Sequence, residues 1–217
     1  MSFCLFLVFS EPFDGIPPLV GGIPGLAKVH VYTPGRAHDP YLNDGAPPPL
    51  ALQLYFSSLS GLEAAIAGPL SPVKKVCEAQ AMLVRSFAVP EPGEDPLYTY
   101  LVAYEGRAED ENAWHAHYLA HHPALMAKLP GIRSLEVYTP MQWVCPPGWR
   151  RAQCMQRNKV SFDSAEALTA ALNSPVRTEM RADYAKLPAF SGRVTHYPMA
   201  TSVIALSAIR VPRRTAR

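Results

Sequence analysis

With 217 residues and a formal net charge of +2, the chain can form one large or two small domains, and it carries no strong field to draw nucleic acid or an anionic membrane. Cys4, Cys77, Cys145 and Cys154 show no CxxC spacing, which argues against a disulfide framework and suits reduced thiols in a cytoplasmic protein. The apolar start, residues 1–9, lacks a basic flank and is too short to span a bilayer; no other run is long and apolar enough for a membrane helix.

In chain order, residues 3–9 (FCLFLVF) read as a strand. Further strands follow at 26–33, 50–57 and 78–88, with a helix at 58–67. Proline-rich stretches at 40–49 and 90–96 read as rigid loops. Residues 97–105, rich in Tyr, Leu and Val, give a strand. A helix is expected over 110–129, with Asp110 and Glu111 at its start, Lys128 near its end and Gly131 just past it, as the helix dipole and C-cap geometry favour. Strands at 132–139 and 157–163 come next. Ser164 then caps a helix over 165–172 that continues from Pro175 to Lys186, and 192–199 is the last strand. The basic tail, Arg210, Arg213, Arg214 and Arg217, reads as a solvated terminus.

The sequence also repeats itself. Residues 23–34 (IPGLAKVHVYTP) match 129–140 (LPGIRSLEVYTP) at six identical positions, with Gly25 falling on Gly131, an offset of 106. The same offset places Phe56 on Phe162, Ser58 on Ser164, Leu62 on Leu168, Ala64 on Ala170 and Pro69 on Pro175. The copies differ between first strand and turn: 16 positions separate Phe9 from Gly25, and 27 separate Tyr104 from Gly131. The first copy is thus short by 11 residues, about three helical turns. Each copy has the order β-α-β-β-α-β of a ferredoxin-like unit, an α+β class. Its bare sheet face must be covered, so two four-stranded sheets packed face to face are expected within one polypeptide. The expected organisation is a first repeat over 1–90 with a stunted first helix, a linker at 91–96, a complete second repeat over 97–205 and the tail 206–217. Such an internal pseudo-dimer is expected to be a monomer or a loose homodimer.

The segment WHAHYLAHHPALMAKLPGIR (114–133) resembles the EthD family of the dimeric α/β-barrel superfamily. Trp114, Tyr118 and His122 fall on that family's aromatic, aromatic and His positions before the KxPG turn, although Pro123 follows its His one residue early. The resemblance covers about 97–140. It implies the ferredoxin-like fold and the barrel, and it brings no single reaction: relatives include lactone isomerases, polyketide cyclases and dehydratases, cofactor-independent monooxygenases and haem enzymes.

Trp114, Tyr118, Leu125 and Leu129 share one helical stripe, with His122 on its edge and His121 on the opposite edge. Four histidines within eight residues (115, 117, 121 and 122) concentrate the side chain best suited to proton transfer near neutral pH. On the strand after the turn, Ser134, Glu136 and Tyr138 share a face; buried there they need partners or a ligand. The reading is a pocket between helix and sheet with His122 and Tyr118 as catalytic groups. Trp114, His121, Tyr100, Glu136, Tyr138 and Trp143 are the substrate-binding groups. The chain has no GxGxxG, GKS/GKT or GxSxG motif, so no organic cofactor is expected. His117 and His121 at i, i+4 keep a metal or haem site open as an alternative, but no HExxH accompanies them and no metal ligand is assigned. The expected function is proton-transfer chemistry on a small apolar ring or lactone-like metabolite. A non-catalytic ligand-binding protein is the other reading.

Overall fold

The computed structural model describes residues 2–42, 44–93 and 95–204; the basic tail lies outside them. The first half supplies β1 (Ser2–Phe9), a six-residue α1 (Ile16–Gly21), β2 (Leu26–Pro34), β3 (Leu50–Phe56), α2 (Leu59–Ala67) and β4 (Val76–Phe87). From the second come β5 (Tyr98–Glu105), a 16-residue α3 (Glu111–Met126), β6 (Ser134–Pro140), β7 (Cys154–Phe162), α4 (Ala165–Leu172), α5 (Val176–Tyr184) and β8 (Arg193–Ile204). Side-chain oxygens of Ser58, Asp110 and Ser164 accept from the backbone N–H three residues on and so start α2, α3 and α4. Gly25 and Gly131 both sit at φ +73° in the turns that launch β2 and β6, a left-handed conformation that a side chain would strain.

The expected pair of tandem ferredoxin-like units with facing sheets is not what forms. All eight strands make one closed antiparallel barrel in the order β1-β3-β2-β8-β5-β7-β6-β4. Two 12-residue strands close it. The far half of β8 pairs with β2, from Pro34↔Met199 to Val29↔Ile204, and that of β4 pairs with β6, from Met82↔Pro140 to Phe87↔Leu135. Open sheet edges carry unpaired N–H and C=O groups, and pairing them across the halves removes every edge. The sequence reading ended its last strand at 199, just before the stretch that makes this seam.

The barrel wall separates three apolar layers. Outside the first half, Leu5, Leu7, Leu52 and Leu54 pack under α1 and α2 with Trp143. Outside the second half, Tyr104, Trp114, Tyr118 and Val160 pack under α3 to α5. Inside the barrel, Cys4, Phe6, Tyr32, Tyr55, Met82 and Tyr138 meet. No helix among the described residues is long and apolar enough to cross a membrane.

Candidate functional site

Trp114, Tyr118, His122 and Met126 recur every fourth residue along α3 and are all buried, so His122 lies within the apolar stripe rather than on its edge. Its ring lies 4.6 Å from that of Tyr118, which in turn stacks on Trp114 at 4.9 Å. Between α3, α5 and the outer face of β5, β7 and β8 this packing leaves a cavity of about 410 Å³. Tyr100, Tyr104, Tyr118, His122, Asn158 and His196 line it, with Arg177 and Met180 from α5. The volume lies within the range of small-molecule sites.

Polar contacts in its walls are specific. Asp183 of α5 holds two imidazoles, His122 through Nδ1 at 2.9 Å and His117 through Nε2 at 3.0 Å. Burial pushes the His122 imidazole below its ordinary value of 6.5, against the pull of Asp183, so the ring is neutral at neutral pH. Burial raises the Asp183 carboxyl, but its two histidines outweigh that and hold it below its usual range. With Nδ1 tied to Asp183, His122 Nε2 has no hydrogen bond among the described residues. Asn158 Nδ2 donates to the Tyr118 hydroxyl at 2.5 Å, and that hydroxyl is itself hydrogen-bonded to the Tyr104 hydroxyl, with the Met126 sulfur 4.0 Å away. A segment of the first half roofs the cavity. Asp39 Oδ2 accepts from Tyr100 Oη and Arg177 Nη2, both at 2.7 Å, Leu42 joins the lining, and Asp44 Oδ2 accepts from His196 Nδ1 at 2.8 Å.

Of the residues singled out in the sequence, His122, Tyr118 and Tyr100 line this cavity. Trp114 stands behind Tyr118 and completes the wall without lining it. His121 points away: it is exposed, with its ring 4.6 Å from that of His117. Glu136 and Tyr138 fall on the other side of the barrel wall, because alternate residues of β6 point inward while the cavity lies outside. There Glu136 Oε2 accepts from Tyr138 at 2.5 Å, Tyr55 at 2.6 Å and Lys159 at 3.0 Å. Burial pushes the Glu136 carboxyl up, and Lys159 with the tyrosine hydroxyls brings it below its usual value. Trp143 packs in the outer core of the first half. Sequence reasoning missed Asp183, Asn158, Arg177 and His196. The signal for Asp183 was present: Arg177, Met180 and Asp183 recur every third residue on the buried face of α5, and a carboxylate on such a face calls for a partner. Among the described residues no three His, Cys, Asp or Glu side chains come together to hold a metal ion.

No protein-family profile matches the sequence, and neither does any curated protein. Solved structures do match over nearly the whole chain. An anthrone oxidase-like protein superposes with a TM-score of 0.58 at 14% identity, covering 93% of this chain and 92% of its own. A candidate monooxygenase from Fusobacterium nucleatum gives 0.58 at 7% identity, covering 93% of both chains. Another candidate monooxygenase, from Lactobacillus acidophilus, gives 0.54 at 11% identity, covering 94% and 96%. These likenesses establish the fold alone: the chain shares its overall barrel architecture with these proteins.

Proposed function

We propose that this chain is a small-molecule enzyme in which an apolar ring or lactone-like substrate occupies the cavity beneath α3 and α5 and loses a proton to His122 Nε2. The observation that carries this reading is a neutral imidazole fixed through Nδ1 by Asp183, with its second nitrogen free at an aromatic-lined cavity. A base must be unprotonated and oriented to act, and this arrangement provides both. Tyr118 supplies the complementary group. Burial pushes its phenol well above the ordinary value, so it stays a neutral donor, and turning its proton from Tyr104 to the substrate would serve an oxygen that gains charge as the substrate is deprotonated. Return of the proton to a different atom is isomerisation, attack of the carbanion on a carbonyl of the same substrate with protonation of its oxygen is cyclisation, and expulsion of a β-hydroxyl as water is dehydration; none of these needs an organic cofactor. The EthD-like pattern belongs to the same reading, since it is the helix that brings Trp114, Tyr118 and His122 to the cavity.

A second reading shares the first step. A carbanion or enolate made by such a base is also a reactant toward dioxygen, and the names of the structural neighbours, an oxidase-like protein and candidate monooxygenases, favour oxygenation of the substrate.

The test uses 2-tetralone, a bicyclic carbon acid, as probe. In D₂O the protein is expected to accelerate deuterium uptake at the acidic C–H, and His122→Gln to reduce that acceleration roughly 10²–10⁴-fold while the fold is retained. Equal exchange rates with the protein and with His122→Gln would remove His122 as the base, and exchange no faster than in buffer would leave only a binding protein.

A further inference from the structure

The active-site reading uses one histidine of the four in the 115–122 run and leaves His115, His117 and His121 unexplained. His115 Nδ1 is 3.2 Å from Gln156 Oε1, and His121 is exposed. His117 is different: it reaches the carboxylate that fixes the base, Oδ1 of Asp183 serving His117 and Oδ2 serving His122.

We infer that His117 is a positioning residue that acts on His122 through their shared carboxylate and keeps the cavity-side imidazole in its neutral, proton-accepting form. The inference rests on the reading of His122 as the base. Its physical ground is charge. One carboxylate neutralises one imidazolium; protonating both rings would leave an uncompensated cation between α3 and α5. The two rings are not equivalent in solvation. The His117 side chain is 26% exposed, whereas that of His122 is 6% exposed and lies against the aromatic wall. Desolvation disfavours the charged form, so the single proton belongs on His117.

The other charged groups around the pair do not reverse this. From α5, Arg177 is committed to Asp39 of the roofing segment; from β8, His196 is committed to Asp44. On α3 the His121 ring flanks His117 from the solvent side, and the Lys128–Glu179 pair joins the end of α3 to α5 on the surface. Arg177 and His117 both lower the proton affinity of His122, and Asp183 is the group that raises it. A positive charge on His117 therefore weakens the pull of Asp183 on His122 and extends the pH range in which the base is free. The same contact holds Asp183 from both sides and fixes the Nδ1–H tautomer of His122, which leaves the Nε2 lone pair for the substrate.

The test is long-range ¹H–¹⁵N NMR of the histidine ring nitrogens in the ligand-free protein, in His117→Gln and in Asp183→Asn, across about pH 4–8. In the native protein His117 should protonate before His122, and His122 should show the Nδ1–H tautomer at neutral pH. In His117→Gln the carboxylate keeps a hydrogen-bond donor but loses the competing charge, so the His122 midpoint should rise by on the order of one pH unit. Asp183→Asn should abolish the Nδ1–H preference. Identical His122 titrations in the native protein and His117→Gln, or protonation of His122 ahead of His117, would overturn the inference. Should His117→Gln fail to fold, the order of titration in the native protein decides. None of these readouts uses turnover: loss of the deuterium exchange with the coupling intact would sink the functional reading alone.

Discussion

On the outer wall of the first half, Leu5, Leu7 and Phe9 of β1 lie beside Leu54, Leu52 and Leu50 of β3. In the second half the same antiparallel pairing sets Tyr100, Val102 and Tyr104 of β5 beside Val160, Asn158 and Gln156 of β7. Backbone pairing is alike; the side chains and the covering helices are not. Aliphatic residues fill the first wall beneath a six-residue helix, with Trp143 closing over them. The second wall carries aromatic and amide groups beneath a 16-residue helix and leaves about 410 Å³ open. The barrel interior supplies the contrast. Lys159, Glu136, Tyr55, Tyr138 and His30 are dense in polar atoms, yet they spend their hydrogen bonds mainly on one another. Polar groups mark a site where they face open space, and of these three regions the outer wall of the second half combines the two.

The comparison can be broken by exchanging its residues. Leu52→Asn would place the second half's amide in the first wall, which offers no tyrosine hydroxyl to receive it. A buried amide without a partner, added to lost apolar packing, should cost roughly 3–5 kcal/mol, measured by urea unfolding. A cost below about 1 kcal/mol would mean that the first wall is not filled as described. The reverse change, Asn158→Leu, should alter stability by less than about 1.5 kcal/mol, because the lost bond to Tyr118 is offset by apolar burial. It should weaken 2-tetralone binding by roughly tenfold through loss of the contact that orients Tyr118, read by isothermal titration. Unchanged affinity would remove Asn158 from the site.

The smallest effect is the pH dependence of stability. His122 and His196 flank the cavity and His30 sits inside the barrel; burial lowers the proton affinity of all three in the folded state, with Lys159 adding to the effect on His30. The unfolded chain then binds more protons than the native one below the ordinary value of 6.5. Stability from these groups is present above that pH and is lost as pH falls, by at most about 0.7 kcal/mol per histidine between pH 7 and 6. Denaturant midpoints that stay flat across this interval would contradict the burial assigned to these rings. A ligand that fills the cavity should steepen the loss through His122 and His196 and leave the share of His30 unchanged.

Most individual elements were legible in the sequence because their signals are local. Asp110 and Ser164 announced two helices, the Pro-Gly turns launched β2 and β6, and periodicity placed Tyr118 and His122 on α3. Barrel closure was not legible. It depends on residues 199–204 finding β2, a pairing between stretches about 170 residues apart that leaves no local trace. Alternation showed that Glu136 and Tyr138 share a face, but not that this face is the barrel interior. Trp143 lies in a loop without periodicity, and Asp39 reaches Arg177 and Tyr100 from a proline-rich segment that carries no site signal.

The central claim is that the cavity beneath α3 and α5, and not the barrel interior, is where this protein meets its substrate. A crystal structure of the protein equilibrated with 2-tetralone tests it most directly. The account predicts the bicyclic ring between Tyr100 and Tyr118, with its acidic carbon at His122 Nε2 and its oxygen at the Tyr118 hydroxyl. A ring lodged among Glu136, Tyr138 and Lys159, or a cavity beneath α3 closed by its own side chains, would contradict it.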